Sequence, residues 1–498
     1  MAARWTAASV VFVILALTTA TGGRAAAAGA SAVDIGSRRE LFVDRFLVDT
    51  MSGCALALQT PRPADIAVKS DRPWEGWYSF AYTTVLKDGA KYRMYYRGTP
   101  NGASDGSYEE TTCYAESDDG IHWTKPDLGL FEVMGTKQNN VILAKMPPFS
   151  HNFAPIIDTR PGVPADERWK ALAGSARSGL VAFASADGIH WRKMRDEPVI
   201  TKGAFDSQNV AFWSESERRY VSYFRIFKKV GKEGFRWVSR ATSDDFLHWT
   251  EPVEMTFGDA PAEHLYTNQT LPYFRAPHLY IALAARFMSG RQALTEAQVA
   301  AARLPRDPGY PQDPEWLKRD CSETVLLTSR GGNRYDRTFM EGFIKPGLEL
   351  GNWVSRSNYP SRGIVPTGAG EISIYVGRHN GQPSAHIQRL TLRTDGFASV
   401  RAPYAGGEMT TKLLKFAGRE LEINYSTSAA GSVKVEIQDE QGRPVPGFSL
   451  SDAREIVGDE IERVVSWKGG SDVGRLAGKP VKLRFVMKDA ELYSLRFR

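Results

Sequence analysis

Three carboxylates stand out by their surroundings: Glu75 in Pro73-Trp74-Glu75-Gly76, Asp206 in Phe205-Asp206-Ser207-Gln208-Asn209, and Glu371 at the head of an apolar run. Each follows a turn-rich stretch and precedes alternating apolar residues, so each is expected where the chain leaves a loop and enters a strand. Gathered around one cavity, such groups suit cleavage of a glycosidic bond. A carboxylic acid protonates the leaving oxygen, and a carboxylate activates water or attacks directly. Asp206 or Glu75 is the expected proton donor and the other the base or nucleophile, with Trp74 and Phe205 as apolar walls and Glu371 as a repulsive charge. Separations of about 5–5.5 Å would fit retention and about 6.5–9.5 Å inversion. Glu263 is a reserve. Arg97, Arg225 and Arg286 are expected at the same mouth, where guanidinium groups fit the carboxylate or sulfate of an anionic sugar, or else brace neighbouring acids. Trp74 and Tyr266 offer flat faces for sugar rings, and Asn152, Gln208, Asn209, His264 and Asn268 offer hydrogen bonds.

These positions need a scaffold, and an internal repeat supplies one. Ser117-Asp118-Asp119-Gly120-Ile121-His122-Trp123 recurs as Ser185–Trp191 and Ser243–Trp249, its tryptophans 68 and 58 residues apart. Weaker copies stand at Ser329–Asp336 and Thr394–Phe397. Asp and Gly set a tight turn while the Trp packs between sheets, so Asp119, Asp187, Asp245 and their histidines are read as structural. Five tags imply five units, each led by a hairpin: Ser79–Arg97, Asn152–Ala173, Phe205–Arg225, Asn268–Arg286 and Glu371–Leu392. The expected fold is all-β, a five-bladed β-propeller over 33–402 followed by a β-sandwich over 403–498. Arg39–Leu47 is expected to pair with the last blade and close the ring. Asp158 reads as a hairpin-turn residue, and Glu109 and Glu110 as solvated.

The remainder bounds the class. Arg4 and the apolar run Val10–Leu17, followed by Ala-x-Ala patterns, read as a signal peptide over 1–32 and an exported, secreted or periplasmic chain. The net charge of +6 over 498 residues includes no basic block, which argues against nucleic acid as a partner. No later run is long enough to cross a membrane, and a monomer is expected. Cys54, Cys113 and Cys321 suit either one disulfide with a spare thiol or three buried thiols. No cofactor is required; an axial Ca²⁺ is conceivable, but no ligand set is legible. Residues 288–320 form a long charged insertion with a short helix expected at Leu294–Arg303, and Ala402–Thr411 reads as a linker.

The Ser-x-Asp-Gly-x-x-Trp tags, the five units and the trailing sandwich resemble the five-bladed propeller glycoside hydrolases of families 32 and 43. Phe42-Val43-Asp44, Pro73-Trp74-Glu75-Gly76, Phe205–Asn209 and Val365-Pro366-Thr367-Gly368 are similar to stretches of exported bacterial proteins labelled glycosyl hydrolases. The resemblance implies carboxylates opening the first three blades: base or nucleophile, transition-state stabiliser and acid. Glu75 and Asp206 match two of these, but the second unit offers Asn152. The Trp-Met-Asn-Asp-Pro, Arg-Asp-Pro and Glu-Cys motifs are missing at the matching positions, which argues against fructan and arabinan activity. The tags and three arginines are also similar to sialidases, which have six blades and a Tyr/Glu pair. A non-catalytic polysaccharide-binding propeller is the alternative of a different class.

Overall fold

The structure, a computed structural model, describes residues 31–78, 80–301 and 319–498. All but the last two positions of the expected leader lie outside the described residues, as do the last two of the helix expected at Leu294–Arg303; what is described of that helix is Glu296–Ala301. The described chain is all-β. Antiparallel meanders follow one another as the tags imply. The first comprises Thr84–Asp88, Lys91–Gly98, Thr111–Ser117 and Val141–Ala144. The second comprises Ala154–Ile157, Trp169–Ser175, Gly179–Ser185 and Arg192–Lys193. The third runs Val210–Ser214, Arg219–Val230, Glu233–Ser243 and Val253–Glu254, and the fourth Leu265–Tyr273, Ala276–Met288 and Cys321–Ser329.

The tags fold as their chemistry dictates. Asp119 Oδ1 accepts from the backbone N–H groups of Ile121 (2.7 Å) and His122 (2.8 Å), and Trp123 Nε1 donates to Gly120 O at 3.2 Å. Asp187 and Asp245 repeat the pattern. The Trp123 ring meets Tyr375 edge-on at 5.8 Å, so the first tag packs against the fifth meander.

That fifth meander departs from the expected register. Its first strand is Tyr359–Gly368, its second Glu371–Arg378 and its third His386–Arg393. Tyr359–Gly368 carries Pro360, Gly363 and Pro366, residues that disguise a strand. They are tolerated because this strand bulges and touches the first meander by one parallel bridge, Arg362 to Thr84. Gly363 sits so close to Val85 O that a Cβ would lie 2.2 Å from it. The fourth strand of this meander is Arg62–Lys69, antiparallel to His386–Arg393. The expected closing segment is therefore corrected: Glu40–Leu41 pairs instead with Ser494 and Leu495 of the C-terminal strand.

The C-terminal sheet is organised on Leu421–Gln438 and Lys482–Phe497, which pair along most of their length. Val48–Ser52, Ala55–Leu58, Ala398–Ala402 and Gly407–Thr411 add to it, so much of the expected linker is a strand. Ile35, Phe42, Leu47 and Val48 are buried in one core with Trp467, Phe485 and Leu495. All three cysteines are free thiols, and burial pushes Cys54 up to about 11.

Candidate functional site

The first strands of successive meanders start from one side, and the residues at those starts touch. Tyr82 precedes the first meander, and its ring lies 5.3 Å edge-on from that of His151, which precedes the second. Tyr82 Oη donates to Asp206 O at 3.2 Å, and His151 Nε2 lies 3.3 Å from the same carbonyl. Asp206, more than half exposed, is ion-paired with the buried Arg225 from the second strand of the third meander. The Arg225 guanidinium lies 4.9 Å from the Tyr266 ring, and Tyr266 lies 5.2 Å from Tyr359, which opens the fifth meander. Five strand starts thus converge on Tyr82, His151, Asp206, Tyr266 and Tyr359.

Arg97 binds this floor together. Its Nη2 donates to Tyr78 O at 2.7 Å, and its Nη1 lies 3.1 Å from Asp105 Oδ1, 3.4 Å from Glu110 Oε1 and 3.0 Å from His151 Nδ1. His151 Nδ1 also lies 3.1 Å from Glu110 Oε1, so the ring is held between Arg97, Glu110 and the Asp206 carbonyl. Burial raises the Asp105 carboxyl, but Arg97, His151 and Arg356 together outweigh it and hold the group below the usual carboxylate range. Burial pushes the Tyr82 and Tyr359 phenols well up, so they serve as neutral hydroxyls.

Asp105, Glu110 and His151 place their ligating atoms within 4.8 Å of one another, the geometry of a metal-ligand trio. The trio does not fit a cation as it stands. Arg97 Nη1 is already in contact with all three, and an added ion would sit against a guanidinium. Glu110 is fully buried here, which corrects its reading as a solvated residue. Its partners Arg97 and His151 lie far along the chain or across a turn, which is why the sequence hides it.

The other expected site residues divide. Arg97, Arg225, Tyr266 and Asp206 belong to this cluster. Glu75 does not act as an open carboxylate: it is fully buried, accepts from the backbone of Asp71 and Arg72 at 3.0 Å each and from Tyr96 Oη at 2.7 Å, and pairs with Lys125 at 2.6 Å. Trp74 is 7% exposed and donates to Asn140 Oδ1 at 2.7 Å, so it is core and not a sugar platform. Glu371 opens a second strand and so lies at the opposite end from Tyr359, paired with Arg389 at 3.1 Å. Asn152 fastens loops, donating to Gly174 O (2.8 Å) and Ser207 O (3.1 Å). Gln208 spans the inner strands, donating to Thr84 Oγ1 at 2.8 Å and accepting from Gln269 at 2.6 Å. Asn209 is buried and donates to Phe205 O, and Asn268 donates to Tyr335 Oη. Arg286 braces Glu263 (2.6 Å) and Glu323, and Glu263 also holds Arg337 at 2.6 Å. His264 accepts from Arg236 N at 3.2 Å, and burial together with Arg236 lowers its pKa. Asp158 is buried against Lys170 and Tyr220, so the turn residue is also an ion-pair anchor.

No protein-family model matches the chain. An uncharacterized protein of Mycobacterium tuberculosis (strain CDC 1551 / Oshkosh) is 29% identical over 184 residues, covering 32% of this chain and 56% of that protein. The chain therefore spans little more than half the length of this curated relative. Among solved structures, an N-acetylgalactosamine deacetylase from F. plautii in complex with blood group B trisaccharide superposes with a TM-score of 0.43 at 15% identity, over 69% of this chain and 96% of that protein. The Bombyx mori GH32 β-fructofuranosidase BmSUC1 gives 0.40 at 10% identity, over 89% and 94%.

Proposed function

We propose that the chain is an exported enzyme acting on glycosidic bonds of an anionic saccharide, built as a five-bladed β-propeller with a C-terminal β-sandwich. The observation that carries this is the open Asp206 carboxylate, seated on Arg225 over a floor of Tyr82, Tyr266 and Tyr359, with Asp105 and Arg356 beside it. Arg97, Arg225 and Arg356, gathered at one mouth, suit a uronic or sulfated sugar, and tyrosine rings suit its C–H faces. Asp105, held ionised, serves as base or stabiliser. An ion-paired carboxylate is a poor proton donor. A substrate acid group that takes over Arg225 would release Asp206 for that role, coupling anion binding to acid catalysis. The pairing of both open carboxylates with arginines also favours the second reading, a propeller that binds the same polysaccharides without cleaving them.

The test is reducing-end release from neutral, uronic-acid and sulfated polysaccharides by wild type, Asp206→Asn and Asp105→Asn, beside affinity electrophoresis in gels holding the same polymers. Cleavage confined to anionic polymers and lost in both variants is expected. Full activity in both variants refutes the assignment, and cleavage of neutral polymers alone refutes the anionic substrate. Retention without cleavage selects the binding reading.

A further inference from the structure

The strands that begin at the Asp206 mouth run on to a cavity of about 670 Å³. Val85, Ile157, Phe212, Leu271, Ile364 and Pro366, all from those first strands, form its walls. Its size falls within the range of about 300–1,000 Å³ typical of small-molecule sites.

A single charge borders this apolar space deep in the protein. Arg362 is 4% exposed, and its Nη2 donates to Ala211 O at 3.0 Å. Nε and Nη1 are buried without a hydrogen-bond partner among the described residues, and no described carboxylate forms an ion pair with it. Burial alone lowers its pKa to about 10. An unpaired guanidinium in such surroundings is strongly unfavourable, and a fold that keeps one has a use for it. A second buried donor without a partner, Trp213 Nε1, belongs to a residue lining the same cavity. The charged residues at the rim, Lys87 and Glu215, are exposed, and Lys87 Nζ is engaged by Tyr92 Oη at 2.7 Å.

We propose that this cavity binds an apolar monocarboxylate, its carboxylate paired with Arg362 and its hydrocarbon body lying on Ile157, Phe212, Leu271 and Ile364. A carboxylate presents two acceptor oxygens to the guanidinium fork. Apart from Arg362 and Trp213 Nε1, the walls Ile157, Phe212, Leu271 and Ile364 offer a sugar's hydroxyls no side-chain partner. The site lies at the opposite end of the strands from Asp206 and is independent of the function proposed for that mouth.

Octanoate is the probe, titrated into the full chain by calorimetry and followed by Tm, with 1-octanol and sodium chloride at matched concentration as controls. Octanoate binds and raises Tm, and neither control does. Arg362→Leu weakens octanoate binding by about 10–100-fold, the effect of losing a charge-assisted pair. The ligand-free variant is expected to melt no lower than wild type, since it removes an unpaired buried charge. Ile364→Trp, which fills the cavity and leaves the charge in place, also abolishes binding and decides the matter alone if Arg362→Leu does not fold. The proposal is overturned if wild type does not bind octanoate, if either variant binds it equally, or if sodium chloride reproduces the shift.

Discussion

Replacing Glu75 with Gln separates a structural carboxylate from a catalytic one. The side chain has no water contact, and four donors converge on it: two backbone N–H groups, Tyr96 Oη and Lys125 Nζ. A Gln oxygen can replace one side of that set, while its NH₂ group must face a donor on the other. Breaking a buried ion pair by removing one partner destabilises by about 3–5 kcal/mol. Here Lys125 retains Asp71 at 2.7 Å, the Lys69 carbonyl and some solvent exposure, which lessens the loss to about 2–4 kcal/mol. Lys125→Met leaves the buried anion without its cation and belongs at the upper end, about 3–5 kcal/mol. Urea unfolding followed by tryptophan fluorescence measures both, alongside glycan binding and cleavage in the absence of urea. Glu75→Gln should be less stable yet retain its behaviour toward saccharide. A variant within about 0.5 kcal/mol of wild type, the range of ordinary surface changes, but inactive, would refute this reasoning and restore Glu75 to the chemistry.

Acid stability should depend on the three tag aspartates. Partial burial raises each carboxyl, but the following histidine, two backbone N–H groups and the serine outweigh it and hold Asp119, Asp187 and Asp245 well below the usual range. Between the depressed folded value and the unfolded value of about 3.9, the unfolded chain binds more protons; their stabilisation is therefore complete above that value and fades as pH falls below it, and the triple Asp→Asn variant should show a shallower loss of stability below about pH 4 in acid titrations. Phe246 stands where the other two tags carry glycine, at φ 72°. Its ring packs 5.1 Å from Tyr220, so Phe246→Ala should destabilise by about 3–5 kcal/mol, while Phe246→Gly, freed of left-handed strain, should lose about 1 kcal/mol less in the same unfolding assay. Arg97→Met removes the cation shared by Asp105, Glu110 and His151. That variant should gain a Tm rise with Ca²⁺ or Zn²⁺ that wild type lacks; the same metal response in wild type would contradict the role given to Arg97.

The meanders and their order were legible because the tag is local chemistry: a serine and an aspartate closing a turn, with His-Trp after them, recur in all three full copies, and glycine follows the aspartate in two of them. The fifth meander was misread for the converse reason. Its first strand is stabilised by a bulge and by Gly363 pressed against Val85 O, both long-range matters, and its prolines mimic a loop. One strand of slippage carried Glu371 from the expected mouth to the other end. Glu75 and Trp74 failed differently. Their position beside a strand was sound, but direction was not, and only Tyr96, Lys125 and Asn140 show that both side chains turn inward. The nearness of Asp206 and Arg225 was legible because they flank one hairpin, whose pairing places them together regardless of what the rest of the chain does. His151, Asp105 and Glu110 required the approach of separate loops, and no spacing along the chain encodes that.

The two ends of the inner strands differ in a way that follows from connectivity. A first strand is reached by a long crossover from the previous meander, so its start is preceded by a loop free to carry polar groups, as Ser150–Asn152 and Phe205–Asn209 do. Its end runs straight into a hairpin, where Leu86, Trp213 and Pro272 continue the strand pattern and stay apolar. Charge therefore accumulates at one mouth as a consequence of topology, and the groups there are numerous and mutually compensating: Arg97 with Asp105 and Glu110, Arg225 with Asp206. At the other end topology supplies hydrocarbon walls, with Lys87 and Glu215 at the rim, and Arg362 stands among the hydrocarbon without a counter-charge among the described residues. A paired charge in a crowd of charges can be bracing alone. An unpaired one against hydrocarbon has no such role to fall back on, so Arg362 points to a ligand on fewer assumptions than any residue of the polar mouth.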